Sequence, residues 1–289
     1  MKALEDFDFN ITIVGLGLIG ASFAMALKEL NPKNLWAVDI DMEAIETAQE
    51  LGMIDKGYLE PEIPLKNSDI VIMCVYPNLT IKFIKDNMNY MKVGAIITDT
   101  AGIKKKVLDE INSFIREDLD FIGGHPMAGR EYKGIGFAKK DIFKDANYIL
   151  TPTNKNKKKN IELIEKIIKG IGCKNITKVT PKKHDEIIAF TSQLPHIIAA
   201  ALINGSNKDD NLFTAGSFKD ATRVAKMNTE LWAELLMENR DNTIKQINIF
   251  EEHITKIKNA IIKKDKDRLE ALFENARNKR EAFIEKCMK

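Results

Sequence analysis

ITIVGLGLIG, residues 11–20, carries three glycines at G-x-G-x-x-G spacing, directly after an apolar strand pattern and directly before a helical one. The spacing alone is weak evidence, because glycine triplets occur by chance. Its context gives each glycine a function: Gly15 permits a tight turn, Gly17 lets the backbone approach a pyrophosphate, and Gly20 allows close packing of helix on strand. The stretch therefore predicts a βαβ unit that binds a dinucleotide.

The type of dinucleotide is indicated by the end of the second predicted strand. Asp39 lies there, 19 residues after Gly20, where a carboxylate accepts hydrogen bonds from ribose hydroxyls and repels a 2′-phosphate. No arginine follows, since residues 40–43 read IDME. The pyrophosphate is expected at the first N–H groups of the helix, around Leu18 and Ile19, which lack intrahelical partners. We therefore expect NAD rather than NADP.

A further cofactor contact is expected in the loop Val75-Tyr76-Pro77, which follows the next strand. By sheet order this loop runs along the nicotinamide side of the cleft. Tyr76 is interpreted equally well as an ordinary loop residue.

The composition is that of an ordinary soluble globular protein, with 44% hydrophobic residues, 30% charged residues and a net charge of +2 over 289 residues. The lysine-rich segment 154–160 leads into an amphipathic helix and is interpreted as a solvated face rather than a nucleic-acid patch. The three cysteines lie far apart without metal-ligand spacing and suit a reducing cytosol. With no leader pattern and no apolar run near 18 residues, we expect a cytoplasmic protein with no metal, membrane or nucleic-acid partner.

Short apolar runs alternate with amphipathic stretches up to residue 152. Six runs are predicted as strands: Asn10–Val14, Leu35–Asp39, Asp69–Val75, Ala95–Asp99, Phe121–Gly123 and Tyr148–Thr151. Four stretches between them are predicted as helices: Leu18–Leu30, Met42–Leu51, Thr80–Tyr90 and Lys104–Arg116. This alternation indicates an α/β fold, a Rossmann-type domain with a mostly parallel sheet over residues 1–179. Residues 180–289 are predicted to form an all-α domain for substrate binding and dimerisation.

One helix of this second domain carries a continuous apolar stripe. Its residues step by three or four positions: Ile244, Ile247, Phe250, Ile254, Ile257 and Ile261. The stripe packs either against the chain's own helices or against a second copy, and the pattern leaves both open. We expect a homodimer through the C-terminal helices.

Among the four histidines, His125 has unusual surroundings in the stretch FIGGHPMAG, residues 121–129. A strand runs into paired glycines and places His125 at its carboxyl end, where ligands bind in open α/β sheets. Pro126 favours an extended backbone at the histidine, which projects its side chain outward. We interpret His125 as a catalytic residue.

Together with His125, several segments resemble those of the prephenate dehydrogenase family, which also contains arogenate dehydrogenases. They occur in the family's order: Val14–Ser22, Thr98–Lys104, Gly124–Gly129, Thr191–His196 and Phe218–Ala225. The glycine string is shared with many dehydrogenases, whereas His-Pro-Met-Ala-Gly followed by Leu-Pro-His and Asp-x-Thr-Arg is far more restrictive.

The resemblance implies NAD-dependent oxidative decarboxylation of prephenate to 4-hydroxyphenylpyruvate and CO2. In that reaction hydride leaves the carbinol carbon for NAD, the hydroxyl loses its proton, and aromatisation drives loss of the ring carboxylate. By resemblance His125 is the base, a role that suits an imidazole whose unperturbed pKa lies near neutrality.

The resemblance also implies residues that bind the dianionic substrate. Arg223 matches the family's carboxylate-binding arginine, whose guanidinium suits a bidentate contact. His196 is expected to assist, Asp220 to hold Arg223 in place, and Trp232 to serve as core more often than as a contact. Gln193, in place of a carboxylate, favours prephenate over arogenate.

His184 also matches a family position. It lies 12 residues before His196, about 120° away on an ideal helix. We interpret it as a residue behind the site rather than a direct contact, since a histidine near a helix start is commonly an exposed residue without a role.

One position departs from the family pattern. Members commonly read Asp-Val-Gly-Ser-Val-Lys where this chain reads DTAGIK, residues 99–104, so Gly102 stands at the serine position. The hydroxyl that orients histidine and substrate is then supplied by Thr100, by Ser192 or by water.

Three alternatives remain at this stage. One is an arogenate dehydrogenase, and another is a β-hydroxyacid-type NAD dehydrogenase, which would use a helix-borne lysine as its base and not require His125. The third, favoured only by the Gly102 departure, is a NAD-responsive binding protein without turnover. NADH formation with prephenate distinguishes them.

Overall fold

A computed structural model describes residues 7–129, 132–207 and 212–288, with side chains described up to residue 283. Its centre is an eight-stranded sheet of order β3-β2-β1-β4-β5-β6-β7-β8. The strands are β1 Asn10–Val14, β2 Asn34–Val38, β3 Lys56–Tyr58, β4 Ile70–Met73, β5 Ile96–Asp99, β6 Asp120–Pro126, β7 Asn147–Thr151 and β8 Asn175–Lys178.

Helices cover both faces of this sheet, and each face buries its own apolar cluster. The helices up to residue 170 are α1 Leu18–Lys28, α2 Met42–Glu50, α3 Glu62–Asn67, α4 Pro77–Asn87, α5 Lys105–Phe114 and α6 Lys158–Gly170. The chain order reverses between β1 and β4, and ligands bind at such switch points, outside the carboxyl ends of the strands. The predicted Rossmann-type α/β architecture is therefore confirmed.

Three details of the sheet differ from the prediction. The short edge strands β3 and β8 were not predicted, because Lys56–Tyr58 and Asn175–Lys178 are too short and too polar to show an apolar run. Strand β6 continues to Pro126 and pairs antiparallel with β7. His125, opposite Ile149, therefore lies within the strand rather than on the loop beyond it.

Beyond β8 the structure is helical, as predicted. The helices are α7 Pro181–Ile188, α8 Leu194–Asn204, α9 Gly216–Thr222, α10 Thr229–Glu238, α11 Arg240–Ile262 and α12 Lys266–Met288. A π-helical turn, Ala189–Gln193, joins α7 to α8. The chain divides into two compact units, Met1–Arg240 and Asp241–Lys289. The domain boundary near residue 180 stays a prediction.

Two apolar surfaces stand out among these helices. In α11 the stripe is largely uncovered, with Ile244, Ile254 and Ile261 exposed. The continuous helical run Pro181–Asn204 is also long and apolar enough to cross a membrane by length and composition alone, although no 18-residue run of this kind was predicted. Its polar side chains, among them Gln193 and His196, make hydrogen bonds within the protein.

Candidate active site

Of the three glycines in the loop between β1 and α1, only Gly17 has room for a side chain. A β-carbon at Gly15, where φ is +94°, would lie 2.8 Å from the carbonyl oxygen of Cys74. One at Gly20 would lie 1.8 Å from the carbonyl oxygen of Gly15. Gly17 is exposed, and a β-carbon there would have no atom within 4 Å. The loop is therefore packed tightly on the protein side and open at Gly17, as a cradle for a pyrophosphate would be.

The N-terminus of α1 opens at this cradle. Leu18 and Ile19 form its first turn, and no side chain among the described residues caps it. The unpaired N–H groups and the positive end of the helix dipole suit an anionic group.

Asp39 lies at the carboxyl end of β2 beside the loop. Its Oδ2 accepts a hydrogen bond from the N–H of Leu16 at 2.5 Å, and its Oδ1 accepts one from Asp41 at 2.9 Å. The neighbouring Ile40 is 96% exposed. Among the described residues no cation forms an ion pair with Asp39, and a carboxylate held at this edge fits the ribose of NAD. The glycine loop, the N-terminus of α1 and Asp39 together fit the cofactor.

The loop after β4 is fixed on the other side of the cradle. Val75 and Tyr76 are half-buried, and Pro77 is the first residue of α4. The Tyr76 hydroxyl lies 2.6 Å from the side-chain nitrogen of Asn228, just before α10. Tyr76 is thus a structural link between the loop and α10, whatever contact it makes with a cofactor.

His125 lies near the end of β6, directly after Gly123 and Gly124. Neither of these two positions has room for a side chain. A β-carbon at Gly124 would lie 2.7 Å from both the carbonyl oxygen of Asp99 and the hydroxyl of Tyr148. One at Gly123 would lie 2.4 Å from the hydroxyl of Thr151. The strand is thereby pressed against β5 and β7, which sets the position of His125.

A buried ion pair holds the same strand by its backbone. Lys104 and Asp99 contact each other, and both side chains are fully buried. The ammonium of Lys104 also donates to the carbonyl oxygen of Gly124 at 2.6 Å, and Asp99 accepts from the N–H of Gly124 at 3.0 Å. Sequence reasoning missed this pair, although Asp99 ends a predicted strand and Lys104 begins a predicted helix.

His184 is the direct hydrogen-bond partner of His125. It is fully buried, and its Nε2 lies 2.9 Å from Nδ1 of His125. The lysines before it suggest exposure, but α7 turns His184, Asp185 and Ile188 inward. Burial, the neighbouring His184 and the charge of Lys104 hold the pKa of His125 well below its usual value. Burial likewise lowers the pKa of His184. Both shifts favour the neutral form of the ring.

Asp185 connects this histidine pair to α5. Its Oδ1 lies 2.7 Å from Nδ1 of His184 and accepts from the N–H of Lys104 at 2.8 Å, while its Oδ2 accepts from Lys105 at 2.9 Å. The carboxylate thus caps the N-terminus of α5, where negative charge is favoured.

Gln193 does not face an open site. It is buried, its amide nitrogen donates to the carbonyl oxygen of Leu235 at 3.1 Å, and its oxygen accepts from Asn239 at 2.8 Å. Asn239 also donates to the carbonyl oxygen of Asp185 at 2.9 Å. Gln193 therefore links the π-helical turn to the C-terminal end of α10, and its identity gives no argument for prephenate over arogenate.

His196 and Trp232 lie together, with ring centroids 3.6 Å apart in a stacked arrangement. Nδ1 of His196 donates to the carbonyl oxygen of Ser192 at 2.8 Å, which directs Nε2 away from its own helix. Arg223 is exposed and opens the 3-10 turn Arg223–Ala225, which packs against α8. Asp220 is exposed on α9, one turn before it.

Leu235 occupies the space beside Gly102. A β-carbon at Gly102 would lie 3.2 Å from the nearest methyl group of Leu235. Thr100, offered as a replacement for the family's serine, instead directs its hydroxyl to the carbonyl oxygen of Met73 at 3.3 Å. The group that orients His125 in this chain is His184.

The chain matches two family models, described as the prephenate dehydrogenase nucleotide-binding domain over residues 23–177 and the prephenate dehydrogenase dimerization domain over residues 180–275. Bacillus subtilis prephenate dehydrogenase is 31% identical over 98% of this chain and 77% of its own length. The crystal structure of A. aeolicus prephenate dehydrogenase with hydroxyphenyl propionate and NAD+ is similar with a TM-score of 0.86 and 29% identity, covering 95% of this chain and 98% of that one. Synechocystis arogenate dehydrogenase is similar with a TM-score of 0.81 and 27% identity, covering 94% of this chain and 99% of that one.

Proposed function

Because the chain belongs to the prephenate dehydrogenase family, we propose that it converts prephenate to 4-hydroxyphenylpyruvate and CO2 in tyrosine biosynthesis, with reduction of NAD to NADH. The observation that carries this proposal is the position of His125 at the carboxyl end of β6, where a buried histidine holds its Nδ1 at 2.9 Å. The chain is an NAD-dependent oxidoreductase, and NAD supplies the hydride acceptor when bound.

His125 acts as the base for the ring hydroxyl. Its Nδ1 is engaged by His184, and among the described residues no hydrogen bond involves its Nε2. A neutral ring with a free lone pair at Nε2 accepts the hydroxyl proton as the carbinol carbon is oxidised. When CO2 leaves and the ring becomes aromatic, the same proton returns to the phenolic oxygen, so no net proton is released.

The dianionic substrate is held by residues of the helices beyond β8. Arg223 binds one carboxylate through its planar guanidinium, and His196 and the Trp232 ring against it lie beside the substrate's side chain. Asp220, one turn from Arg223, orients the arginine. The stacking of the His196 and Trp232 rings, with centroids 3.6 Å apart, supports this assignment, because it holds both side chains in one fixed arrangement.

Arogenate is the second candidate substrate, because the Synechocystis structure of similar fold is an arogenate dehydrogenase. The two substrates differ only in a keto or amino group on the side chain. The test is NADH formation with each at equal concentration. Turnover of prephenate at a higher kcat/KM supports the proposal, preference for arogenate moves the assignment to the second candidate, and turnover of neither refutes both.

We further propose that the protein is a cytoplasmic homodimer. The match to a dimerization domain and the uncovered apolar stripe on α11 support pairing through the C-terminal helices. Cys74 and Cys173 are free thiols, which is typical of the cytosol.

A further inference from the structure

We infer that Asp185 is a positioning residue for catalysis, because its carboxylate sets the tautomer of His184 and, through it, that of His125. The inference deepens the proposed function and rests on His125 being the base. It concerns a residue two hydrogen bonds away from the reacting atoms.

The first step is the polarity of the bond between Asp185 and His184. The N–H groups of Lys104 and Lys105 can only donate, and they donate to Oδ1 and Oδ2 of Asp185 at 2.8 and 2.9 Å. At a helix N-terminus the carboxylate is favoured in its ionised form, which only accepts. Nδ1 of His184, 2.7 Å from Oδ1, must therefore carry the proton and donate.

The second step follows from the chemistry of a neutral imidazole. With its proton on Nδ1, His184 has a lone pair on Nε2 and accepts there. The contact of 2.9 Å to Nδ1 of His125 is then a hydrogen bond donated by His125. His125 is thus held with its own proton on Nδ1 and its lone pair on Nε2, the form that a base requires.

The burial of Asp185 and His184 makes these two hydrogen-bond directions energetically costly to reverse. Asp185 is 4% exposed and His184 is fully buried, so neither finds water as a substitute partner. Among the described residues, Lys104 and Asp99, which are paired with each other, are the other charged groups that act on His184. The neutral imidazole of free histidine prefers its proton on Nε2 in water. Two successive rings protonated on Nδ1 therefore require a hydrogen-bond acceptor beyond His184. Asp185 is that acceptor.

The direct test is the protonation state of the ring nitrogens. In long-range ¹H–¹⁵N spectra of the full-length protein labelled in its four histidines, His125 and His184 are expected as neutral Nδ1–H tautomers above pH 6.5. Assignment uses the His125→Asn and His184→Gln variants. A wild-type His125 protonated on Nε2 overturns the inference, and this readout needs no substrate, so it stands apart from the proposed function.

The kinetic test is Asp185→Leu. A leucine side chain cannot accept from Nδ1 of His184, so His184 returns to the Nε2–H tautomer and donates to Nδ1 of His125, which leaves Nε2 of His125 protonated. In serine proteases a change at the carboxylate behind the catalytic histidine lowers kcat by about 10⁴ through the wrong tautomer. We expect kcat with prephenate to fall by about 10²- to 10⁴-fold here, with the Kd for NAD unchanged.

Asp120→Leu is the matched control. Asp120 is also 4% exposed and caps a helix, accepting from the N–H of Lys157 at 3.0 Å and from Asn160 at 2.8 Å, with no histidine attached. Both variants lose a buried capping carboxylate, so urea unfolding is expected to show comparable destabilisation, but only Asp185→Leu loses kcat. Equal kcat for the two variants overturns the inference.

Rescue by a conservative change at His184 completes the test. The His184→Gln amide can donate to Asp185 with its nitrogen and accept from His125 with its oxygen, whereas His184→Leu can do neither. We expect His184→Gln to retain at least 10-fold more kcat than His184→Leu. Equal kcat for these two variants argues for a purely structural role and overturns the inference.

Discussion

Replacing Gly17 by alanine separates cofactor binding from folding in this chain. A β-carbon there meets no atom within 4 Å, and the backbone, at φ −67° and ψ −167°, is one that alanine adopts readily. The free energy of unfolding is therefore expected to stay the same or rise by up to about 1 kcal/mol, because alanine restricts the unfolded chain. The added methyl group nevertheless occupies the open cradle in front of α1.

The expected loss is in the affinity for NAD. A methyl group in the cradle keeps the pyrophosphate from approaching the N–H groups of α1, and a hydrogen bond to a charged group contributes about 1.5–3 kcal/mol. Losing one such bond raises the Kd for NAD by about 10- to 150-fold. Isothermal titration with NAD and urea unfolding of the same preparation measure the two quantities separately.

Gly20→Ala gives the opposite pattern. Its β-carbon would lie 1.8 Å from the carbonyl oxygen of Gly15, so α1 must move and both stability and binding are lost. A Gly17→Ala protein that binds NAD with wild-type affinity would refute the assignment of the cradle. So would one that unfolds as easily as Gly20→Ala.

Four further outcomes are expected. His125→Asn should bind NAD normally and lose about 10²- to 10⁴-fold in kcat, whereas near wild-type turnover would contradict its role as base. Arg223→Gln should chiefly raise the KM for prephenate, and an unchanged KM would argue against a carboxylate contact. Lys104→Met leaves the Asp99 carboxylate buried without its cation and should cost about 3–5 kcal/mol in urea unfolding, while a loss under 1 kcal/mol would show that the pair is not needed. Because the pKa of His125 is lowered, the base stays neutral below pH 6.5, and the acidic limb of the kcat/KM profile should lie below that value. The unfolded chain binds the proton more readily than the folded one, so the free energy of unfolding should fall as the pH drops below 6.5. A free energy of unfolding that stays constant down to pH 5 would contradict the lowered pKa.

The cofactor half of the site was predictable from the sequence because its chemistry is local. Gly15, Gly17 and Gly20 lie within six consecutive residues, and their spacing predicts the strand, the turn and the helix together. The role of Asp39 was predictable from its place at the end of the second predicted strand, 19 residues after Gly20. His125 was predictable for a similar reason, since paired glycines and a proline around a histidine are a local pattern.

The supporting network was not predictable, because it depends on contacts between distant segments. His184 meets His125 across 59 positions of the chain, and Asp185 meets Lys104 across 81. A pattern of lysines before His184 suggests solvent, and only the packing of α7 against α5 and β6 shows otherwise. Gln193 illustrates the converse, since a polar residue beside a family motif turned out to bond backbone and amide groups in the interior.

The tight packing around Gly124 bears on how this enzyme changes over evolution and under laboratory selection. Because no side chain fits at that position, the strand that carries His125 tolerates little drift, and the base keeps its place relative to the cofactor cradle. Arg223, in contrast, is an exposed side chain on the 3-10 turn Arg223–Ala225. Substitutions that change substrate preference can therefore accumulate on that turn while the oxidation chemistry is retained. Mutant libraries aimed at new substrates are best confined to it.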